Sequence, residues 1–175
     1  MRFLVIVAAA AGLVGCSVEE APPAKTIKSA DPTITDVELG MGPNINVRLS
    51  VPAEPLSLRP GVVGGAVRQI ARALQSGAPG RAADTKWLQV QVDVRGSDGR
   101  TDDFGNLRFP VDQLLAVDFK QVSAEQALNL ADTVTAGTGR AFEGAVAYCA
   151  EEAFRAVSPR YCSLVDAEGW GTPGT

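Results

Sequence analysis

WLQVQVDVR, residues 87–95, decides the fold. Leu88, Val90, Val92 and Val94 alternate with Gln89, Gln91 and Asp93, so one edge of the segment is aliphatic and the other polar. A period of two puts successive side chains on opposite faces of a strand, one against a core and one against water. NINVRLSV, residues 44–51, repeats the pattern: Ile45, Val47, Leu49 and Val51 share one side, with Asn44, Asn46, Arg48 and Ser50 on the other. TITDVEL, residues 33–39, is a further strand candidate, joined to it through GMGP, whose glycines and proline suit a hairpin. These strands are expected to share one sheet.

Outward from these strands the period changes. Between Val62 and Leu74, apolar Val63, Val67, Ile70 and Leu74 recur near every 3.6 residues, opposite Arg68, Gln69 and Arg72. That is an amphipathic helix lying on a sheet, its two arginines forming a solvated face. GSDGRTDDFGN, 96–106, reads as a polar turn, returning through LRFPV, where Pro110 suits a strand end or edge. LLAVDF, 114–119, fits either a strand or a short helix. SAEQ at 123–126 has the form of a capping box and opens a helix in which Ala127, Leu130, Ala131 and Val134 share a face. Phe142, Val146, Cys149, Ala153 and Val157 line another helix, from about Gly139 to Val157, ended by Ser158-Pro159. The order β-β-α-β-β-α-α predicts an α+β fold: a single mostly antiparallel sheet of about four strands, with amphipathic helices packed on one face.

The chain has 175 residues, 46% of them hydrophobic, enough for one core. Its formal charge of -4 offers no basic face for nucleic acid. Histidine is absent, which removes the commonest general base, zinc ligand and partner of a Ser or Cys nucleophile.

The N-terminus carries an address. Arg2 precedes the uncharged run Phe3 to Gly15, the basic-then-apolar pattern of a secretory signal, and the run is shorter than a bilayer-spanning helix. It ends in Leu13-Val14-Gly15-Cys16, which resembles the lipobox of bacterial lipoproteins. The resemblance implies a diacylglyceryl group on the Cys16 sulfur, cleavage between Gly15 and Cys16, and acylation of the new amino terminus. Several acyl chains hold a protein firmly on a membrane. Ser17 stands where Asp is the usual inner-membrane retention signal, so the resemblance implies the outer membrane, facing the periplasm. The expected organisation is a signal peptide at 1–15, a lipidated, Pro-bearing flexible tether at 16–33, one α+β domain at 34–165 and a disordered tail at 166–175.

With Cys16 lipidated, Cys149 and Cys162 remain, and an even pair in an exported chain suggests a disulfide. Two free thiols, or a metal-binding pair completed by carboxylates, are the alternatives.

Other stretches bear weakly on chemistry. PGVVGG, 60–65, lacks the spacing of a phosphate loop and reads as a flexible lead into the helix. TAGTGR, 135–140, reads as an interhelical turn. Asp98, Asp102 and Asp103 are close enough in sequence to suggest a calcium loop, but the order departs from the EF-hand pattern and hairpin chemistry explains it. No cofactor is expected. The functional expectation is a non-catalytic, membrane-anchored accessory, assembly or binding module of a cell-envelope system, with the membrane and an envelope protein as partners. The alternative is a small lipid-anchored hydrolase acting on cell-wall or carbohydrate substrate through Asp or Glu.

Overall fold

The computed structural model describes residues 26–39, 43–53, 59–77, 84–137 and 140–168. The lipobox, the tether up to residue 25, the tail from residue 169 and the GMGP residues 40–42 lie outside them.

Five strands form one sheet in chain order: β1 (Ile34–Leu39), β2 (Asn44–Pro52), β3 (Trp87–Arg95), β4 (Thr101–Pro110) and β5 (Thr133–Ala136). β1 pairs antiparallel with β2, β3 with β4 and β4 with β5, while β2 and β3 run parallel. The sheet is therefore mixed and has one strand more than the sequence led us to expect. The parallel pair follows from connectivity. Helix α1 (Arg59–Gln75) lies between β2 and β3 in the chain, and a strand-helix-strand crossover brings the second strand in parallel to the first.

The alternation in β2 and β3 is reproduced in burial. Ile45, Val47, Leu49 and Val51, with Leu88, Val90, Val92 and Val94, are all buried on one face, and the polar residues between them form the other. β4 begins at Thr101, so the polar turn shrinks to Gly96–Arg100, closed by Gly96 N–H donating to the Arg100 carbonyl at 2.8 Å. The acidic and glycine residues 102–106 were expected in that turn. They stand in the strand because a bulge absorbs one of them: Val92 pairs with Gly105 and Asp93 with Asp103, leaving Phe104 as the extra residue. Gly105 adopts φ 130°, a conformation side-chain-bearing residues avoid.

The helices cover the apolar face. On α1, Val63, Val67, Ile70 and Leu74 are buried in one core with the strands, as their period requires. PGVVGG is the first part of α1 itself, not a lead into it. A Cβ at Gly64 would stand 2.0 Å from the Ala124 carbonyl oxygen, so glycine is what lets α1 approach α3 (Ala124–Ala127) this closely. Arg68 is not a solvated cation: its Nε donates to the Phe119 carbonyl at 2.9 Å, tying α1 to the turn after α2 (Val111–Ala116).

The capping box forms, with Gln126 N–H donating to Ser123 Oγ and Ser123 N–H to Gln126 Oε1. The helix it opens stops after one turn and a 3-10 turn at Leu128–Leu130, and Val134 belongs to β5. Thr133-Val134-Thr135 is a β-branched run, which prefers a pleated strand. TAGTGR consequently leads from a strand towards a helix rather than between two helices.

The C-terminal helix is also divided: α4 (Arg140–Ala150), α5 (Glu152–Val157) and α6 (Pro159–Ala167). One extended residue, Glu151, separates α4 from α5, and the Cys149 carbonyl at the end of α4 accepts from Arg155 Nε at 2.7 Å. The break stacks Phe154 on Tyr148 at 4.6 Å between ring centroids. It also brings Cys149 and Cys162 to disulfide distance, their Cα atoms 5.4 Å apart. Ser158 is fully buried, its hydroxyl bonded to Tyr148 Oη and donating to the Glu125 carbonyl. The Asn129 side-chain oxygen accepts from the Arg160 and Tyr161 N–H groups, capping α6 from another part of the chain.

Two boundaries move. Ile27, expected in the tether, sits 1% exposed in the core within a 3-10 turn at Ile27–Ser29, so the folded part begins before Ile34. Asp166, expected in the tail, lies in α6 and pairs with Arg155.

Candidate functional site

Among the described residues no helix covers the second face of the sheet, and its side chains form two rows across the strands. Strand register aligns Asp36, Arg48, Gln91, Asn106 and Thr135 in one row. Glu38, Asn46, Gln89, Arg108 and Thr133 make the next. Facing side chains in such rows stand about 5 Å apart, so each can reach its neighbour. Between the rows lies a shallow depression of about 270 Å³, lined by Asp36, Glu38, Asn46, Val47, Arg48, Gln89, Gln91 and Asn106.

The two arginines of these rows are held by their neighbours. Arg48 donates through Nη2 to Gln91 Oε1 at 2.9 Å and its Nε lies 3.6 Å from Asp93 Oδ2. Arg108 Nη2 meets Asp132 Oδ2 at 2.6 Å, while its guanidinium sits 4.5 Å from the centre of the Trp87 ring. The stacked geometry is a cation–π contact, which places Trp87 at the end of the face with one side covered. Two polar atoms remain. Asn46 Oδ1 and Arg108 Nε are buried and make no hydrogen bond among the described residues. Both belong to the same row.

Among the described residues, the titrating groups displaced from their ordinary values lie on the helix side. Burial pushes the Tyr161 hydroxyl far up, the Tyr148 charge adding to it, and that hydroxyl makes no hydrogen bond among the described residues. Burial likewise raises Tyr148, against the Ser158 hydrogen bond and with the Glu125 charge. The Arg155 hydrogen bond holds Asp166 below the usual carboxylate range.

The aspartates proposed for calcium are dispersed. Asp98 Oδ1 accepts from Arg100 N–H in the turn, Asp103 Oδ1 accepts from Gly105 N–H at the bulge, and Asp102 pairs in register with Val94. Among the described residues no group of three acidic, Cys or His side chains is placed to hold a metal ion. Sequence reasoning treated the polar half of β2 and β3 only as solvent-facing. Its signal was present in the residue types: Asn46, Gln89, Gln91 and Asn106 are amides, where a merely solvated strand face draws as readily on Lys, Glu and Thr.

No described helix is long and apolar enough to cross a membrane. Comparison with family models, with curated proteins and with solved structures found no match.

Proposed function

We propose that this chain is a bacterial lipoprotein, anchored through Cys16 to the outer membrane, whose folded domain is a non-catalytic binding module of a cell-envelope system. The anchor rests on Leu13-Val14-Gly15-Cys16 at the end of an apolar leader. The observation that carries the binding role is the open face: five strands wide, polar along its two central rows, and hollowed into a depression across β1 to β4. A face kept only for solubility has no need of amides aligned strand to strand.

Membrane fractionation tests the anchor and crosslinking tests the open face. The wild-type chain is expected in the outer-membrane fraction, and Cys16→Ala in the soluble fraction. Normal processing with undiminished membrane association of that variant overturns the anchor. A photo-crosslinking residue at Gln89 is expected to capture a component of the envelope in intact cells, while one at exposed Glu152 on the helix side captures none. Equal capture at both positions overturns the assignment of the open face, and cell-wall turnover by the purified chain overturns the non-catalytic role in favour of a hydrolase.

A further inference from the structure

We infer that the open face binds an extended, uncharged saccharide, an N-acetylated amino-sugar chain, laid across the amide rows. The inference rests on the reading of this face as the working surface of an envelope module.

Its floor consists of the four amides of Asn46, Gln89, Gln91 and Asn106, with Arg48 neutralised by Asp93. A primary amide presents two N–H donors and a carbonyl acceptor, and a sugar hydroxyl is likewise donor and acceptor. Acetamido groups offer the same pair. Asp36 and Glu38 stand at the β1 rim, where carboxylates accept from hydroxyl pairs and repel an anionic ligand. A row five strands wide spans about 19 Å at the usual interstrand spacing, room for several sugar rings.

A protein partner fits less well. Protein interfaces depend on buried aromatic and apolar anchors in desolvated pockets. Here the depression has no outward apolar side chain, Val47 being buried on the other face, and Trp87 is already covered by Arg108.

The test is NMR of the side-chain amide groups in the full chain, held in detergent micelles and titrated with chitotetraose. Saturable shifts are expected at Asn46, Gln89, Gln91 and Asn106, with a Kd on the order of 1 mM, as befits hydrogen bonding without a free aromatic platform. Gln89→Ala and Asn106→Ala, both at exposed positions, should each weaken binding about fivefold while leaving the rest of the spectrum in place. Three results overturn the saccharide: no saturable shift up to about 10 mM, tenfold the expected Kd; shifts confined to the helix side; or the same amides moving with protein concentration alone, which assigns the face to a second copy. If the Gln89 crosslink persists while the titration fails, the module stands and the saccharide falls.

Discussion

Leu88 and Gln89 are neighbours in one strand, yet they belong to regions of opposite character. Leu88 is 0% exposed against α-helices, whereas Gln89 faces outward over the depression. On the helix side, shape decides: aliphatic groups interdigitate, and removing one leaves a void that the neighbours fill only in part. On the open side no described element packs over the sheet, and most side chains there are free to be chosen for what they bind. The contrast gives the largest of the expected effects. Leu88→Ala should cost about 2–5 kcal/mol in urea unfolding, whereas Gln89→Ala should stay within about 0.5 kcal/mol. A loss above about 2 kcal/mol for Gln89→Ala would mean that the open face holds the fold together, and the division of labour between the faces would collapse.

The helix side holds a cysteine pair at disulfide distance. Cys149 and Cys162 are separated by 13 residues, and closing so short a loop should stabilise the fold by about 3 kcal/mol in the chain-entropy model. Alkylation before and after reduction should find both thiols blocked until reductant is added. Cys149→Ala combined with Cys162→Ala should lower stability by about that amount and expose α5 and α6 to hydrogen exchange, leaving the β2 and β3 amides protected. Loss of protection across the whole sheet would show that the C-terminal helices and the sheet form one cooperative unit. Free thiols in the oxidised protein would remove the bridge from the account.

The strands with strict alternation were legible in the sequence because a single rule, period two with one buried face, governs them. β2 and β3 lie where Ile45–Val51 and Leu88–Val94 put them. The parallel pairing of these strands was implicit in the helix between them, but a reading of each segment by itself does not carry connectivity into register. β5 was hidden by a competing local signal: the capping box at Ser123–Gln126 is real, but it caps one turn, and the β-branched Thr133-Val134-Thr135 prevails beyond it. The break at Glu151 has no glycine or proline to announce it. It is imposed by tertiary packing, since Tyr148 and Cys149 must meet Phe154, Tyr161 and Cys162. The open face was half legible. Its polarity could be read, but the row of five depends on β1, β4 and β5 being aligned, and the bulge that registers β4 depends on Gly105.

The smallest expected effect concerns how charge supports the helix side, where Arg155 donates to Asp166 Oδ2 at 2.8 Å and to the Cys149 carbonyl at 2.7 Å. One guanidinium thus joins the end of α4 to α6 beside the cysteine pair. Because its hydrogen bond with Arg155 lowers the Asp166 pKa in the folded chain, folding favours the ionised carboxylate. The resulting stability is fully present above the ordinary carboxylate pKa of about 4 and is lost as pH falls through the lower folded value. Both side chains are about half exposed, so water and salt screen the pair. Asp166→Asn should therefore lower Tm at pH 7 by at most about 3 °C, and the gap to wild type should close as pH falls below about 4. Thermal melts across that range decide the matter. A gap that stays constant with pH would assign the effect of Asp166 to helix packing rather than to its charge, and Arg155 would then act on α4 through the Cys149 carbonyl alone.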